Sequence, residues 1–214
     1  MRRFLLVQMK QLSIEDLDLN GIRAVIFDLD GTLYNKRFLP LRLIISDIPH
    51  MFMLASERNS RRQLKGTFFG DADNFYRTLF NHISSHQNVP YMVARDWYFG
   101  TYLPLMVEIL RKYYKAGAFV EPLLKALKEK GIKTVVFSDY RCINEKLTAL
   151  GIDPDWFDIK EAAMDLGGLK PNKVLFQRLL EDIGTSAEET LMIGDREDTD
   201  GDGARSVGMR FVKV

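Results

Sequence analysis

The sequence predicts an α/β fold, a doubly wound parallel sheet carrying a helical cap domain. Short apolar runs stop abruptly at polar residues: Arg23 to Phe27 at Asp28, Thr134 to Phe137 at Ser138, and Thr190 to Ile193 at Gly194-Asp195. Amphipathic helical segments alternate with the later runs, as βαβ crossovers require. One long stretch, residues 35–118, shows helical spacings and no strand pattern.

Taken in order, residues 1–20 form an N-terminal extension ending at the turn signal Asn20-Gly21, with an edge strand, a helix or a frayed tail all open. Its start, Met1-Arg2-Arg3, is like a signal n-region, but the apolar run Phe4 to Val7 is shorter than the roughly 7–15 residues a signal needs. Arg23 to Phe27 reads as a strand buried on both faces. The stretch 35–118 is rich in Phe, Tyr, Met, His and Arg, with Phe75, Leu79 and Ile83 at helical spacing. A structureless loop of that length is uncommon, so it reads as a helical insert. Glu121 to Lys130 has Pro122 near its start, a Leu123-Leu124-Leu127 stripe and Gly131 as a stop. Asn144 to Leu150 ends at Gly151, and Asn172 to Ile183 ends at Gly184. Met209 to Val212 is a weaker fourth strand. The expected organisation is an extension (1–20), a core (21–34 and 119–214) and a cap (35–118). Ligands of such sheets bind beyond the strands' carboxyl ends, where Asp28, Ser138 and Asp195 fall.

Composition excludes several classes. The chain has 214 residues, 46% hydrophobic and 28% charged, with 30 Lys+Arg against 29 Asp+Glu for a net charge of +1. That balance argues against a nucleic-acid coat or a polybasic membrane binder. A single cysteine, Cys142, excludes an internal disulfide and a cysteine-based zinc cluster. The longest apolar stretch, Leu39 to Ala55, is interrupted by Arg42, Asp47, His50 and two prolines, too broken for a membrane span. The expectation is a soluble cytoplasmic protein.

Four pieces carry the chemistry. In Phe27-Asp28-Leu29-Asp30-Gly31-Thr32-Leu33-Tyr34, two carboxylates end a hydrophobic strand. Burying like charges there is costly without a compensating cation or proton; the alternative is a solvated loop or helix cap. In Gly194-Asp195-Arg196-Glu197-Asp198-Thr199-Asp200-Gly201-Asp202, oxygen donors without Cys or His favour a hard ion such as Mg²⁺. A calcium loop would need Glu at its twelfth position, where Ser206 stands. Lys170, in a Gly/Pro-rich loop before a helix, can neutralise phosphate or a carboxylate, though such lysines are also common on surfaces. Ser138 can grip a phosphoryl oxygen or simply turn the chain.

In this order the four pieces resemble the haloacid dehalogenase-like (HAD) hydrolase superfamily, with its Rossmann-like core and a cap inserted after the first motif. Asp28-Leu29-Asp30-Gly31-Thr32 is similar to its first motif, Ser138 to its second, Lys170 to its third, and Gly194-Asp195 with Asp200 to its fourth. The resemblance covers residues 22–34 and about 119–214. It implies that Asp28 attacks phosphorus to form an aspartyl-phosphate, while Asp30 protonates the leaving oxygen and then activates water. It implies that Ser138 and the Asp139 amide hold the phosphoryl group and that Lys170 balances charge. Mg²⁺ would be held by Asp28, Asp195 and the Asp30 carbonyl, with Asp200 supporting it. The family often has Asn after the second-motif Ser; here it is Asp139, whose side chain is expected to point away from phosphate.

The resemblance also implies phosphoryl transfer rather than carbon–halogen cleavage: the superfamily's phosphoryl-transfer members carry an acid at the position of Asp30, as an alkoxide leaving group needs a proton, and its carbon–halogen cleaving members do not. The implied activity is a Mg²⁺-dependent phosphatase acting on a small phosphorylated metabolite. A sugar phosphomutase with the same nucleophile is the alternative. An inactive binding module would lack one of Asp28, Asp30, Lys170 and Asp195, and none is missing. In the cap, Arg58, Arg61, Arg62 and Lys65 read as a solvated helix face rather than an anion site. His50, His82 and His86 read as surface or packing residues; His82 and His86 have metal spacing but no third ligand. Tyr91, Trp97, Tyr98, Phe99 and Tyr102 read as cap core, with stacking on a substrate as the alternative.

Overall fold

The structure, a computed structural model, describes residues 12–214; the signal-like start and most of the extension lie outside the described residues. Five strands form one wholly parallel sheet: β1 (Ala24–Phe27), β2 (Lys133–Ser138), β3 (Ile159–Ala162), β4 (Thr190–Gly194) and β5 (Arg210–Lys213). Their order is β3-β2-β1-β4-β5. The chain winds outward from β1 through β2 to β3, then returns to β4 on the other side of β1. That reversal opens a crevice at the carboxyl ends of β1 and β4. Register sharpens it: Phe27 pairs with both Val136 and Ile193, so Asp28 and Gly194 leave the sheet level with each other.

Continuous apolar runs suit a sheet covered on both faces. Every residue of β1 and β4 is buried. Val25, Phe27, Val136 and Ile193 face one cluster, which runs on into the cap. Ala24, Ile26, Val135, Phe137 and Met192 face the other, against α8 (Lys173–Ile183) and α9 (Asp202–Val207). The first face is covered by α6 (Val120–Glu129) and α7 (Ile143–Leu150). Asn172 starts α8 as its cap, accepting from the Val174 N–H at 2.9 Å.

β3 is the one strand the sequence pattern does not announce. Its residues, Ile-Lys-Glu-Ala, lie at the sheet edge and are mostly half-buried, so the continuous apolar signature of a central strand is missing. It forms because Val135 to Ser138 offer it a paired edge.

Within 35–118 lie five helices: α1 (Leu39–Ser46), α2 (Met51–Leu64), α3 (Ala72–Gln87), α4 (Tyr91–Trp97) and α5 (Leu103–Tyr113). A π-helical turn, Tyr98–Tyr102, joins the last two. Phe75, Leu79 and Ile83 are fully buried on α3, as their spacing requires. Tyr98 and Phe99 pack against Tyr76 and Phe80, and Trp97 stacks on Tyr102 at 5.3 Å, so these aromatics form cap core. Among the described residues, no helix is long and apolar enough to cross a membrane.

Candidate active site

Three strand ends bring Asp28, Ser138 and Asp195 together, as the sheet reversal dictates. Asp28 is 6% exposed, and its two oxygens are already engaged. Oδ1 accepts from the Lys170 ammonium at 2.8 Å and Oδ2 from the Thr32 hydroxyl at 2.9 Å. Burial pushes the Asp28 carboxyl up to about 6, only partly offset by Lys170 and reinforced by Asp200 and Asp30.

Lys170 is the compensating cation. Its ammonium also reaches Asp200 Oδ1 at 2.6 Å and the Phe137 carbonyl at 3.1 Å. Burial opposes its charge, yet the Asp200 and Asp28 carboxylates outweigh that and raise its pKa above the ordinary lysine value. Asp200, 1% exposed, is delivered by the π-helical turn Glu197–Gly201, and its Oδ2 accepts from the Arg196 N–H at 3.3 Å. Gly194 is required here: a Cβ would collide with the Asp200 carboxylate. The acidic run therefore splits by role. Asp195 and Asp200 turn inward, while Asp198 pairs with Lys65 and Arg196, and Glu197 and Asp202 pair with Arg205.

Carboxylate oxygens of Asp28, Asp195 and Asp200 lie within 4.8 Å of one another, the only such trio of potential metal ligands among the described residues. A cation fits there on direct grounds. The ammonium of Lys36 stands 2.6 Å from Asp195 Oδ2 and 2.7 Å from the Asp30 carbonyl oxygen, so this oxygen cradle already attracts a positive charge. Burial raises the Asp195 carboxyl, with Lys36 working against it. Gly31, at φ 108°, carries the chain past this point, and a Cβ there would meet Asp195 and the Lys36 ammonium.

Asp30 has partners that sequence reasoning misses. Lys146, with no exposed surface, reaches its Oδ2 at 2.6 Å; the Tyr34 hydroxyl donates to Oδ1 at 2.7 Å. Ser138 lies 3.4 Å from the same Oδ2. Burial alone would raise the Asp30 carboxyl; Lys146, Tyr34 and Lys36 outweigh it and hold it below the ordinary carboxylate range. Lys146 does leave a trace in the sequence: it sits on the buried stripe of α7 with Ile143, Leu147 and Leu150. The Asp139 side chain turns to the Lys170 backbone. Its Oδ1 accepts from the Lys170 N–H at 3.1 Å, and the residue lines the cavity.

The site opens into a cavity of about 610 Å³ between core and cap. A smaller recess of about 210 Å³ is bounded by Arg58, Arg61, Arg62, Lys65, Lys170 and Arg196. Arg58 and Arg62 are exposed, as a solvated face requires, and the same turns of α2 also line this recess beside Lys170. Arg61 donates to the buried Glu57 at 2.7 Å and lies 4.3 Å over the Tyr140 ring. Arg58 and Arg62 have no ion-pair partner among the described residues. Tyr102 joins the cavity wall, its hydroxyl 3.0 Å from that of Tyr140. His82 and His86 have ring centres 6.2 Å apart and belong to no three-ligand group among the described residues.

Known proteins are similar to this chain in sequence and in fold. A family profile described as haloacid dehalogenase-like hydrolase matches residues 22–208. A glyceraldehyde 3-phosphate phosphatase of Methanocaldococcus jannaschii is 28% identical over 203 residues, covering 90% of this chain and 85% of its own. A pyrophosphatase PpaX of Halalkalibacterium halodurans is 31% identical over 186 residues, covering 81% and 75%. The crystal structure of a HAD phosphatase from Thermococcus onnurineus superposes with a TM-score of 0.62 at 21% identity, covering 90% and 86%, a likeness of fold.

Proposed function

The chain belongs to the haloacid dehalogenase-like hydrolases as a phosphatase-type member, and on that premise we propose that it hydrolyses a small phosphomonoester through an aspartyl-phosphate on Asp28, with Mg²⁺ as its cation. One observation carries the reading: the Asp28 carboxylate is buried between a fixed ammonium, Lys170, and an oxygen cradle that attracts a second cation. A carboxylate so flanked can approach an anionic phosphate, which it cannot do unaided.

Asp28, Asp195 and the Asp30 carbonyl would hold Mg²⁺, with Asp200 behind them and Lys36 displaced. Bound there, the ion supplies charge neutralisation for the incoming phosphoryl oxygens. The chain's own residues do the rest. An Asp28 oxygen bonds to phosphorus as the ester P–O bond breaks, and the leaving alkoxide takes a proton from Asp30. Asp30, then ionised, removes a proton from water, which attacks phosphorus and frees Asp28. Inorganic phosphate and the alcohol are the products. Ser138 and the Asp139 amide steady the phosphoryl oxygens, and Lys170 keeps Asp28 in line. Lys146 and Tyr34 favour the ionised Asp30 of the second step. An arriving phosphate works against them, since a nearby anion raises a carboxyl's affinity for its proton. Arg58 and Arg62 attract the anionic ester toward the site.

Hydrolysis of p-nitrophenyl phosphate tests this reading. Turnover should require Mg²⁺, and Asp28→Asn should lower it by at least about a thousandfold. Full turnover by Asp28→Asn would remove Asp28 as nucleophile.

A further inference from the structure

We infer that the alcohol portion of the substrate is an apolar chain, so that this site acts on the phosphomonoester of an amphiphile; the inference rests on the phosphatase reading above. The cavity lining divides along α2. Beside Lys170 it is walled by Arg58, Arg61 and Arg62 from the C-terminal half of α2. Aliphatic side chains also line it: Leu39, Leu43 and Ile44 of α1, Met51 and Leu54 from the N-terminal half of α2, and Met106 of α5. The α2 helix therefore lays an apolar half and a basic half along one cavity, matching a molecule with an apolar tail and an anionic head.

The aliphatic wall continues onto the outer surface. Seven of the ten exposed large apolar side chains among the described residues fall between positions 38 and 52. Phe52, Ile48 and Ile45 are 66%, 63% and 62% exposed. Ile44 and Met51, 40% and 39% exposed, belong to both the cavity wall and this patch. The apolar track is thus continuous from the inner wall to solvent. Contiguous exposed apolar surface generally marks a binding site, and here it begins at the catalytic cavity.

The polar groups gathered around Glu57 in the cavity are already engaged. Glu57 accepts from Arg61 at 2.7 Å and from Tyr140 at 3.3 Å, and Tyr102 and Tyr140 bond to each other at 3.0 Å. These groups satisfy one another. A sugar placed against the aliphatic wall would bury hydroxyls without partners, whereas an apolar chain would remove both surfaces from water. A volume of about 610 Å³ exceeds what a phosphate with a three-carbon alcohol fills and lies within the roughly 300–1,000 Å³ of sites for larger ligands.

The experiment compares kcat/KM for ethyl, butyl and hexyl phosphate and glycerol phosphate, with p-nitrophenyl phosphate in parallel. Each fully buried methylene is worth about a fourfold step, so hexyl phosphate should exceed ethyl phosphate by about tenfold or more. Ile44→Asn and Met51→Asn, at half-exposed positions that tolerate polar groups, should each cut the hexyl-to-ethyl ratio about threefold or more. An unchanged kcat/KM along the series, or a preference for glycerol phosphate, with Mg²⁺-dependent turnover of p-nitrophenyl phosphate, would overturn this inference alone. No turnover of any ester would overturn the phosphatase reading and this inference with it.

Discussion

Replacing Lys146 with Met removes the one cation among the described residues that touches the Asp30 side chain and leaves the volume of α7's buried face nearly unchanged. Lys146 has no exposed surface and sits 2.6 Å from Asp30 Oδ2, whose side chain is 19% exposed. Stripping one partner from a buried ion pair costs about 3–5 kcal/mol. Asp30 retains the Tyr34 hydroxyl and some contact with water, so the lower end, about 3 kcal/mol, applies. For a chain of this size each kcal/mol moves the melting temperature by about 2–4 °C, giving a loss of about 6–12 °C at pH 7.5. The sign with pH follows from the lowered Asp30 carboxyl. Its stabilisation is present above the unfolded value near 3.8 and is lost as pH falls through the lower folded one, so the gap between wild type and variant narrows in acid. Adding Asp30→Asn should recover part of the loss, since no buried carboxylate is then stranded. Thermal unfolding of the metal-free proteins measures all three. A melting point within 2 °C of wild type at pH 7.5, or a double variant less stable than Lys146→Met, would refute the pairing.

Three further outcomes follow. With Asp28 raised to about 6, its contribution to folding is whole below about pH 4 and fades as pH rises through 6. A divalent ion that needs Asp28 ionised should therefore raise the melting temperature more at pH 7.5 than at pH 5, and equal shifts would contradict it. Lys36→Met removes an ammonium that competes for Asp195 and the Asp30 carbonyl in a part-exposed pair worth about 1 kcal/mol. Calorimetry should find Mg²⁺ bound about fivefold tighter, with a lower melting point for the metal-free protein. Gly31→Ala places a Cβ against Asp195 at φ 108° and should cost about 1–3 kcal/mol in urea unfolding while weakening Mg²⁺ binding.

Much of the site is legible in the sequence because buried charge is anomalous. Asp28 and Asp195 end apolar strands, and the crossover pattern predicts that their tips meet. The edge strand β3 escapes because a half-exposed strand, with Lys160 and Glu161 in it, shows no continuous apolar run. Lys36 escapes because its role depends on how the loop after Gly31 folds back, and no periodicity encodes that. Lys146 is different: a lysine on the buried stripe of an amphipathic helix is a visible contradiction of pattern, and its explanation lies across the fold at Asp30. The basic turns of α2 look like any solvated helix until α2 is laid over the carboxyl ends of the strands.

The most direct test is to trap the covalent intermediate. Asp30→Asn, which lacks the base for the second step, should be mixed with Mg²⁺ and p-nitrophenyl phosphate, acid-quenched, reduced with borohydride and digested for mass spectrometry. A reduced acyl-phosphate on the peptide spanning Asp28, absent without Mg²⁺ and absent in Asp28→Asn, is the predicted result. A label on another residue, or stoichiometric nitrophenol release with no label at position 28, would contradict it.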